Sequence, residues 1–435
     1  MDGEIRRRVL ELNPWLVKGA RFREEVDRRM PATFIRRGLD VSGFEDRARA
    51  RIIVGPRQSG KSTLVWSMLG DREPGSVLFL NAEESLVRRW CGSAGGMLSD
   101  LHEELPGVRT LFFEEVQHLD EAGLLIKGLV DSRRGYEILV TGSSAFHLRD
   151  RTRESLAGRA ERRVLLPLDL GEIMSHEEVG VPAAWIARAW KHVGRMMVTG
   201  SYPAVWLSAD PHRELSDLVE AFVLRDASDI YRIRRPDAFR KLVQLAAVQE
   251  GQTASPSEWA SILGVSASTV AQYLGILRET WIIDLLPPFV GGKRAEITSA
   301  PRVHFVDMGL RNAVLGSLDA DVARRPDRGA LAEGFAYSEL MKTIPQSWGL
   351  HHWRTKSGAE VDFVLATANR CIGIEVKSGA GRLTRSALSF IEAYAPEAFL
   401  IAVGADVAPS DRPVSGTRVI TLPLVRLAET VRSLF

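Results

Sequence analysis

The stretch Arg51 to Trp66, RIIVGPRQSGKSTLVW, constrains the fold more than any other part of the chain. A short apolar strand, Arg51 to Val54, runs into Gly55-Pro56-Arg57-Gln58-Ser59-Gly60-Lys61-Ser62-Thr63 and then into a helical pattern. That is P-loop spacing in the strand-loop-helix setting the motif needs. Successive backbone N–H groups of such a loop wrap phosphate, Lys61 neutralises the β and γ oxygens, and Ser62 offers its hydroxyl to Mg²⁺. The expected cofactors are therefore ATP and Mg²⁺. The expected scaffold is an α/β parallel sheet alternating with helices.

A P-loop needs a second strand that delivers carboxylates, and TLFFEEVQHLD supplies it. Leu111 to Phe113 lead into Glu114, expected to hold Mg²⁺ through water, and Glu115, expected to activate the attacking water. A third apolar run, EILVTGSSA, ends in Thr141, Ser143 and Ser144, candidates for sensing the γ-phosphate or simply a turn. SVLFL and RRVLLPL complete the sheet.

Composition narrows the setting. With 435 residues the chain is long enough for two to four domains, and 45% hydrophobic with 26% charged residues is globular usage. A net charge of +2 leaves no overall basic excess, so nucleic-acid affinity has to come from local patches. Two cysteines, Cys91 and Cys371, form no disulfide framework, which fits a reducing compartment. No window reaches the length of an apolar membrane span, so a cytoplasmic location without a membrane partner is expected.

The order GPRQSGKST, FFEEVQ, ILVTGSSA, SLAGR, GSYPAVW and then EVDFV with IEVK resembles a bacterial and archaeal AAA+ family that joins an ATPase core to a C-terminal DUF4143 region. The likeness runs from about residue 48 to about residue 405. Members carry Asp-Glu-Ile-Gln where this chain has Glu114-Glu115-Val116-Gln117, which lengthens the metal-side carboxylate by one methylene. The resemblance also implies that Arg159, in RESLAGRAERR, reaches a γ-phosphate, from a neighbouring subunit if it acts in trans. The active form would then be a homo-oligomer. Local pairing of Arg159 with Glu154 or Glu161 is the other reading.

The domains expected are a helical segment over 1–47, an ATPase core over 48–170, a helical lid over 171–235, a winged helix over 236–312 and a nuclease-like domain over 313–435. In SPSEWASILGVSASTVAQYLGILRET, Ala260 and Leu263 mark a first helix, Gly264 to Ser266 a turn, and Thr269, Val270, Tyr273 and Leu277 a second. WIIDLLPPF and PRVHFVD are expected wing strands. The second helix offers Ser268, Gln272 and Arg278 but little positive charge, so either DNA or a protein could be its partner.

EVDFVLATANRCIGIEVKSG alternates as two strands meeting at Ala368-Asn369. That turn sets Leu365 against Ile372, Phe363 against Ile374 and Asp362 against Glu375, with Lys377 facing Glu360. Two facing carboxylates need a cation between them, either Lys377 or a divalent metal. With Glu333 on the helix of GALAEGFAYSEL, the set Glu333, Asp362, Glu375 and Lys377 resembles the PD-(D/E)XK nuclease fold of restriction enzymes and archaeal Holliday-junction resolvases. That likeness implies Glu333, Asp362 and Glu375 as metal ligands, Lys377 as the residue acting on water, and branched DNA as substrate. A charge-balanced ladder without chemistry is the alternative. Gly373 is expected to admit a close backbone approach, with Val361, Phe363, Ile374 and Val376 forming one apolar face. A nucleotide-switched signalling or defence ATPase remains a second function class.

Overall fold

The computed structural model describes residues 1–18, 22–39, 48–142, 156–177, 182–221, 233–289, 291, 300–379 and 381–435. They divide into two compact units, Met1–Pro167 and Leu168–Phe435.

In the first unit the apolar runs become β1 (Ala50–Val54), β2 (Val77–Asn81), β3 (Thr110–Glu114), β4 (Glu137–Gly142) and β5 (Ala160–Val164). They lie in the order β2-β3-β4-β1-β5, and every neighbour is parallel. Near-continuous burial of β1 to β4 is what a parallel sheet covered on both faces demands, while the edge strand β5 is half-buried along its length. The P-loop, Glu114 and Gly142 all fall at carboxyl ends of strands, the edge where ligands of open parallel sheets bind. The edge strand β2 is covered by the N-terminal helices. Asn13 turns its side-chain amide onto Phe79, accepting from its N–H at 2.6 Å and donating to its carbonyl at 2.9 Å. The Trp15 indole donates to the Val77 carbonyl at 2.7 Å. These bonds satisfy backbone groups that an open edge would leave for another chain. Trp66, Phe79 and Phe112 pack edge-on or tilted with centroids 5.1 to 5.5 Å apart beneath the P-loop helix Lys61–Leu69.

The second unit holds a two-stranded ribbon, β6 (Ile283–Leu286) with β7 (Arg302–Phe305), and a six-stranded sheet. The sheet is built from β8 (Gly349–Arg354), β9 (Glu360–Ala366), β10 (Cys371–Lys377), β11 (Ala398–Val403), β12 (Ser410–Val414) and β13 (Thr417–Pro423), in the order β12-β13-β11-β10-β9-β8. Helices Pro256–Leu263 and Ala267–Glu279 meet at 104°, a helix-turn-helix angle, and the turn uses Gly264 at φ 62°. Val270, Tyr273 and Leu277 are buried on the second helix as their spacing requires. No single helix among the described residues is long and apolar enough to cross a membrane.

GSYPAVW and FVDMGL turn out to be two halves of one clasp within this unit. Asp307, buried, accepts from Ser201 N–H at 2.7 Å, Gly309 N–H at 2.9 Å and Leu310 N–H at 3.3 Å. It thereby caps the Met308–Leu315 helix and ties it to the turn after the Pro182–Thr199 helix. Gly200 sits at φ +72°, where an added Cβ would come 1.9 Å from Asp307 Oδ1, so only glycine fits.

Candidate functional site

The P-loop closes onto its own sheet. Gly55 passes so near β5 that a Cβ there would lie 2.1 Å from the Leu165 carbonyl oxygen, and Gly60 caps the following helix at φ 90°. Lys61 is buried and donates to the carbonyls of Pro56 at 2.7 Å and Gly55 at 3.2 Å. Burial pushes its ammonium down to about 8, opposed by Glu115 and reinforced by Arg57. Arg37, from the N-terminal segment, holds the loop from outside by donating to the Ser59 carbonyl at 2.6 Å.

Glu114 ends β3, where burial raises its proton affinity and the neighbouring Ser62 hydroxyl opposes that rise. Glu115 follows at φ 53°, a left-handed position uncommon for any residue but glycine. The chain turns there, so Glu114 and Glu115 leave the strand in different directions, and Gln117 Nε2 holds Glu115 Oε2. Glu83, Glu115 and His118 bring their ligand atoms within 4.8 Å of one another. Ser59 Oγ and Thr141 Oγ1 are buried with no hydrogen-bond partner among the described residues. Orphaned hydroxyls cost free energy, and their place beside the loop suits a polar ligand such as nucleotide phosphate. The Ser62–Glu114 pair has the chemistry to hold Mg²⁺.

Ser143, Ser144 and Glu154 lie outside the described residues. Arg159 donates through Nε to Asp131 at 2.6 Å, and Glu161, one of its two expected partners, pairs with Arg163. Arg159 stands before the first residue of β5, and Ala50 N–H bonds its carbonyl. That is the amino-end edge of the sheet, opposite the P-loop of its own chain.

In the second unit the hairpin has the register expected from its turn: Leu365 faces Ile372 and Phe363 faces Ile374. Regular pairing then stops. His351 pairs with Val364 but Trp353 with Val361, so Asp362 and Phe363 together oppose the single His352. This bulge re-aims Asp362, whose Oδ2 accepts from Val376 N–H at 2.8 Å in place of a direct stand-off with Glu375. It also splits the expected apolar face: Val361 joins Val364 and Phe390 in one core cluster, whereas Phe363 packs toward Tyr337 and His304. Gly373 admits a ring, since an added Cβ would come 2.6 Å from Phe399 side-chain atoms.

Lys377 does not serve Glu360. Its Nζ lies 3.0 Å from Glu375 Oε2, an ion-pair contact outside hydrogen-bond alignment, while Glu375 Oε1 accepts from Thr384 Oγ1 at 2.8 Å. Glu360 instead pairs with Arg302 Nη2 and, at 3.7 Å, with Arg354. Arg302, 4% exposed on β7, also reaches Glu333 Oε1 at 3.5 Å. Glu333 is pushed up to about 7, by burial first and then by Asp362, although a quarter of its side chain (23%) stays accessible. Burial raises Asp362 as well, against the pull of Val376 N–H, Lys377 and Arg302. The fold thus gathers Glu333, Asp362, Glu375 and Lys377 into one neighbourhood. It does not converge them: these carboxylates do not form a three-ligand set within 4.8 Å, and an oxygen of each is engaged by a protein donor. This arrangement does not fit a divalent metal.

Residues 47–174 match the family described as an AAA domain, 191–321 a domain of unknown function, DUF8612, and 328–426 another, DUF4143. The chain thus carries an AAA domain and, C-terminal to it, a DUF4143 domain. It is 27% identical over 374 residues to an uncharacterized protein of Mycobacterium tuberculosis, covering 83% of this chain and 77% of that one. A second uncharacterized relative, from Methanocaldococcus jannaschii, is 20% identical over 352 residues, covering 78% and 76%. Among solved structures, the replication initiator DnaA bound to AMPPCP and single-stranded DNA aligns at 12% identity over 57% of this chain and 90% of that chain. Its TM-score of 0.26 carries no argument about this chain.

Two participants escaped sequence reasoning. Arg37 is one of these, since nothing in the sequence around it marks its bond to the P-loop. Arg302 was read only as the start of a wing strand; alternation in RVHF does place Arg302 and His304 on one face, and the burial of that face was the missing information.

Proposed function

We propose that this chain is an oligomeric ATP-hydrolysing protein that binds and remodels DNA, with branched DNA such as Holliday junctions as the leading substrate and a resolvase-like C-terminal domain to recognise it. The observation that carries the ATPase half is the buried Lys61 of the P-loop together with two buried hydroxyls without partners among the described residues, Ser59 Oγ and Thr141 Oγ1, at the carboxyl edge of a parallel sheet. Gly55 to Thr63 wrap the phosphates, Lys61 meets the β and γ oxygens, and Ser62 with Glu114 hold Mg²⁺. That ion, when bound, offsets charge on the transferring phosphoryl group. Glu115, turned away from Glu114 by its backbone, orients the attacking water, and Ser143 senses the γ-phosphate. Arg159, remote from its own P-loop, completes the site of a neighbouring copy. The helix pair and β6–β7 ribbon form a winged helix, and the six-stranded sheet with its carboxylates a PD-(D/E)XK-like domain used for recognition.

A second reading is a nucleotide-switched signalling or defence ATPase without motor activity. It is favoured by the second helix of the pair, where Arg278 is already bound to Asp284 at 3.1 Å and Ser268, Ala271 and Gln272 expose no charge. Phosphate contacts dominate DNA affinity, so such a helix binds duplex weakly. ATPase rate measured with duplex, single-stranded, forked and four-way DNA decides between them. Stimulation that is largest with branched DNA supports the first reading, and a rate indifferent to all four rejects it in favour of the second.

A further inference from the structure

The P-loop is held along its outer side by a residue that precedes the sheet in the chain. Arg37 lies in the segment before β1, and its guanidinium spans two elements. Nη1 donates to the Ser59 carbonyl at 2.6 Å, and Nη2 to the Leu166 carbonyl at 2.6 Å with Pro167 at 3.4 Å. A guanidinium presents its donors as a rigid fork, so one side chain ties the loop to the segment leaving β5. At Ser59 the loop has little else to fix it. Gln58 and Gly60, on either side, both sit at positive φ, 58° and 90°, and the Ser59 N–H reaches the Pro56 carbonyl only at 3.4 Å. The other loop carbonyls are bound from within: those of Gly55 and Pro56 by Lys61, and that of Gly60 by the Leu64 N–H at 2.8 Å.

The Ser59 carbonyl and the Gly60 N–H belong to one peptide plane, and the bond between them is trans. In a trans peptide those two groups point in opposite directions, so a donor that fixes the carbonyl on one side fixes the N–H on the other. The Gly60 N–H has no acceptor among the described residues, which leaves it for an anion at the start of the Lys61–Leu69 helix. We propose that Arg37 is a positioning residue for nucleotide binding: by tying the Ser59 carbonyl to Leu166 it holds the Ser59–Gly60 peptide with its N–H turned toward the phosphates. This rests on the P-loop reading given above. It adds that the curvature of the loop is set partly from outside the motif, by a side chain well upstream of Gly55.

The test is ligand affinity of the full chain, read by displacing a fluorescent ADP analogue with ADP and, separately, with inorganic pyrophosphate, which carries phosphates without the base. The parent is compared with Arg37→Ala, Arg37→Lys and Arg36→Ala, the last an exposed neighbour. The melting temperature of each nucleotide-free protein is taken alongside. Losing an aligned N–H to a charged acceptor weakens ADP and pyrophosphate together, by roughly tenfold in Arg37→Ala. Arg37→Lys keeps one donor and recovers part of the loss, and it carries the comparison if the alanine variant folds poorly. Arg36→Ala binds like the parent. KM for ATP rises in Arg37→Ala while kcat at saturation holds, since the contact serves substrate and transition state alike. Weakened ADP with unchanged pyrophosphate overturns the proposal, because Arg37 then acts on the base rather than the phosphates. A lowered melting temperature with parental affinity also overturns it, as the mark of a strut with no part in binding. A parent that binds neither ligand overturns the P-loop reading and the proposal with it.

Discussion

Replacing Asp307 separates a structural reading of GSYPAVW and FVDMGL from a functional one. The carboxylate is 1% exposed and accepts three backbone N–H groups, from Ser201, Gly309 and Leu310. Asp307→Ala strands all three donors, at roughly 1–3 kcal/mol each where water cannot reach, so about 3–6 kcal/mol is lost after partial relaxation. Asp307→Asn keeps Oδ1 for Gly309 and Leu310 but turns an amide NH₂ toward the Ser201 N–H, two donors facing each other, for about 2–3 kcal/mol. At about 2–4 °C per kcal/mol for a unit of this size, the asparagine variant melts some 4–12 °C lower and the alanine variant lower still. Differential scanning calorimetry of the full chain reads the transition, and ATPase rate is measured in parallel well below it. Gly200→Ala pushes a methyl into the same carboxylate and should fall between the two. An Asp307→Asn protein that melts with the parent refutes the clasp. So would one that keeps its stability while losing ATP hydrolysis, since the residue would then belong to the chemistry.

Other outcomes follow from the P-loop unit and the cluster. Lys61→Ala removes the ammonium that reaches phosphate and should abolish nucleotide binding by fluorescence titration, whereas Glu115→Gln should bind ATP with parental affinity and hydrolyse it about 10²–10⁴-fold more slowly. Parental turnover in Glu115→Gln reassigns the role to Glu114 or another carboxylate. Arg159→Ala removes a surface ion pair with Asp131 and a long bond to the Ala157 carbonyl, so stability should hardly move. Mixed with Lys61→Ala subunits it should recover part of the lost rate, and verified mixed oligomers that stay inactive place Arg159 outside any shared site. His352 is pulled down to about 3 by burial first and by Arg302 next, so it stays neutral in the fold while the unfolded chain protonates near its ordinary value of 6.5. Its contribution is intact above about 6.5 and is lost as pH falls toward 3, at up to about 1.4 kcal/mol per pH unit. His352→Asn should flatten the pH dependence of the melting temperature between pH 6 and 4; an unchanged slope rules this out.

Local pattern was enough for the P-loop, the three apolar strands that end in polar residues, the helix-turn-helix and the hairpin register. Each rests on interactions between near neighbours: a turn sets its own pairing, a Gly-rich loop its own curvature, an apolar period its own buried face. Glu114 and Glu115 were legible as adjacent carboxylates for the same reason, but their divergence depends on a left-handed backbone at Glu115 that no propensity announces. What the chain could not reveal by itself was which distant charges meet. The alternation of EVDFV and IEVK predicted a facing carboxylate pair, and a bulge set by β8 turned Asp362 aside. The hairpin register offered Lys377 as the cation facing Glu360, yet Arg302, 58 positions before Glu360, took that place because β7 lies against the cluster. Charge pairing in a buried site is decided by which groups lose water together, and that is settled by the packing of whole elements. The same reason separates GSYPAVW from its partner: only the folded unit brings the Ser201 N–H to the one carboxylate able to receive it.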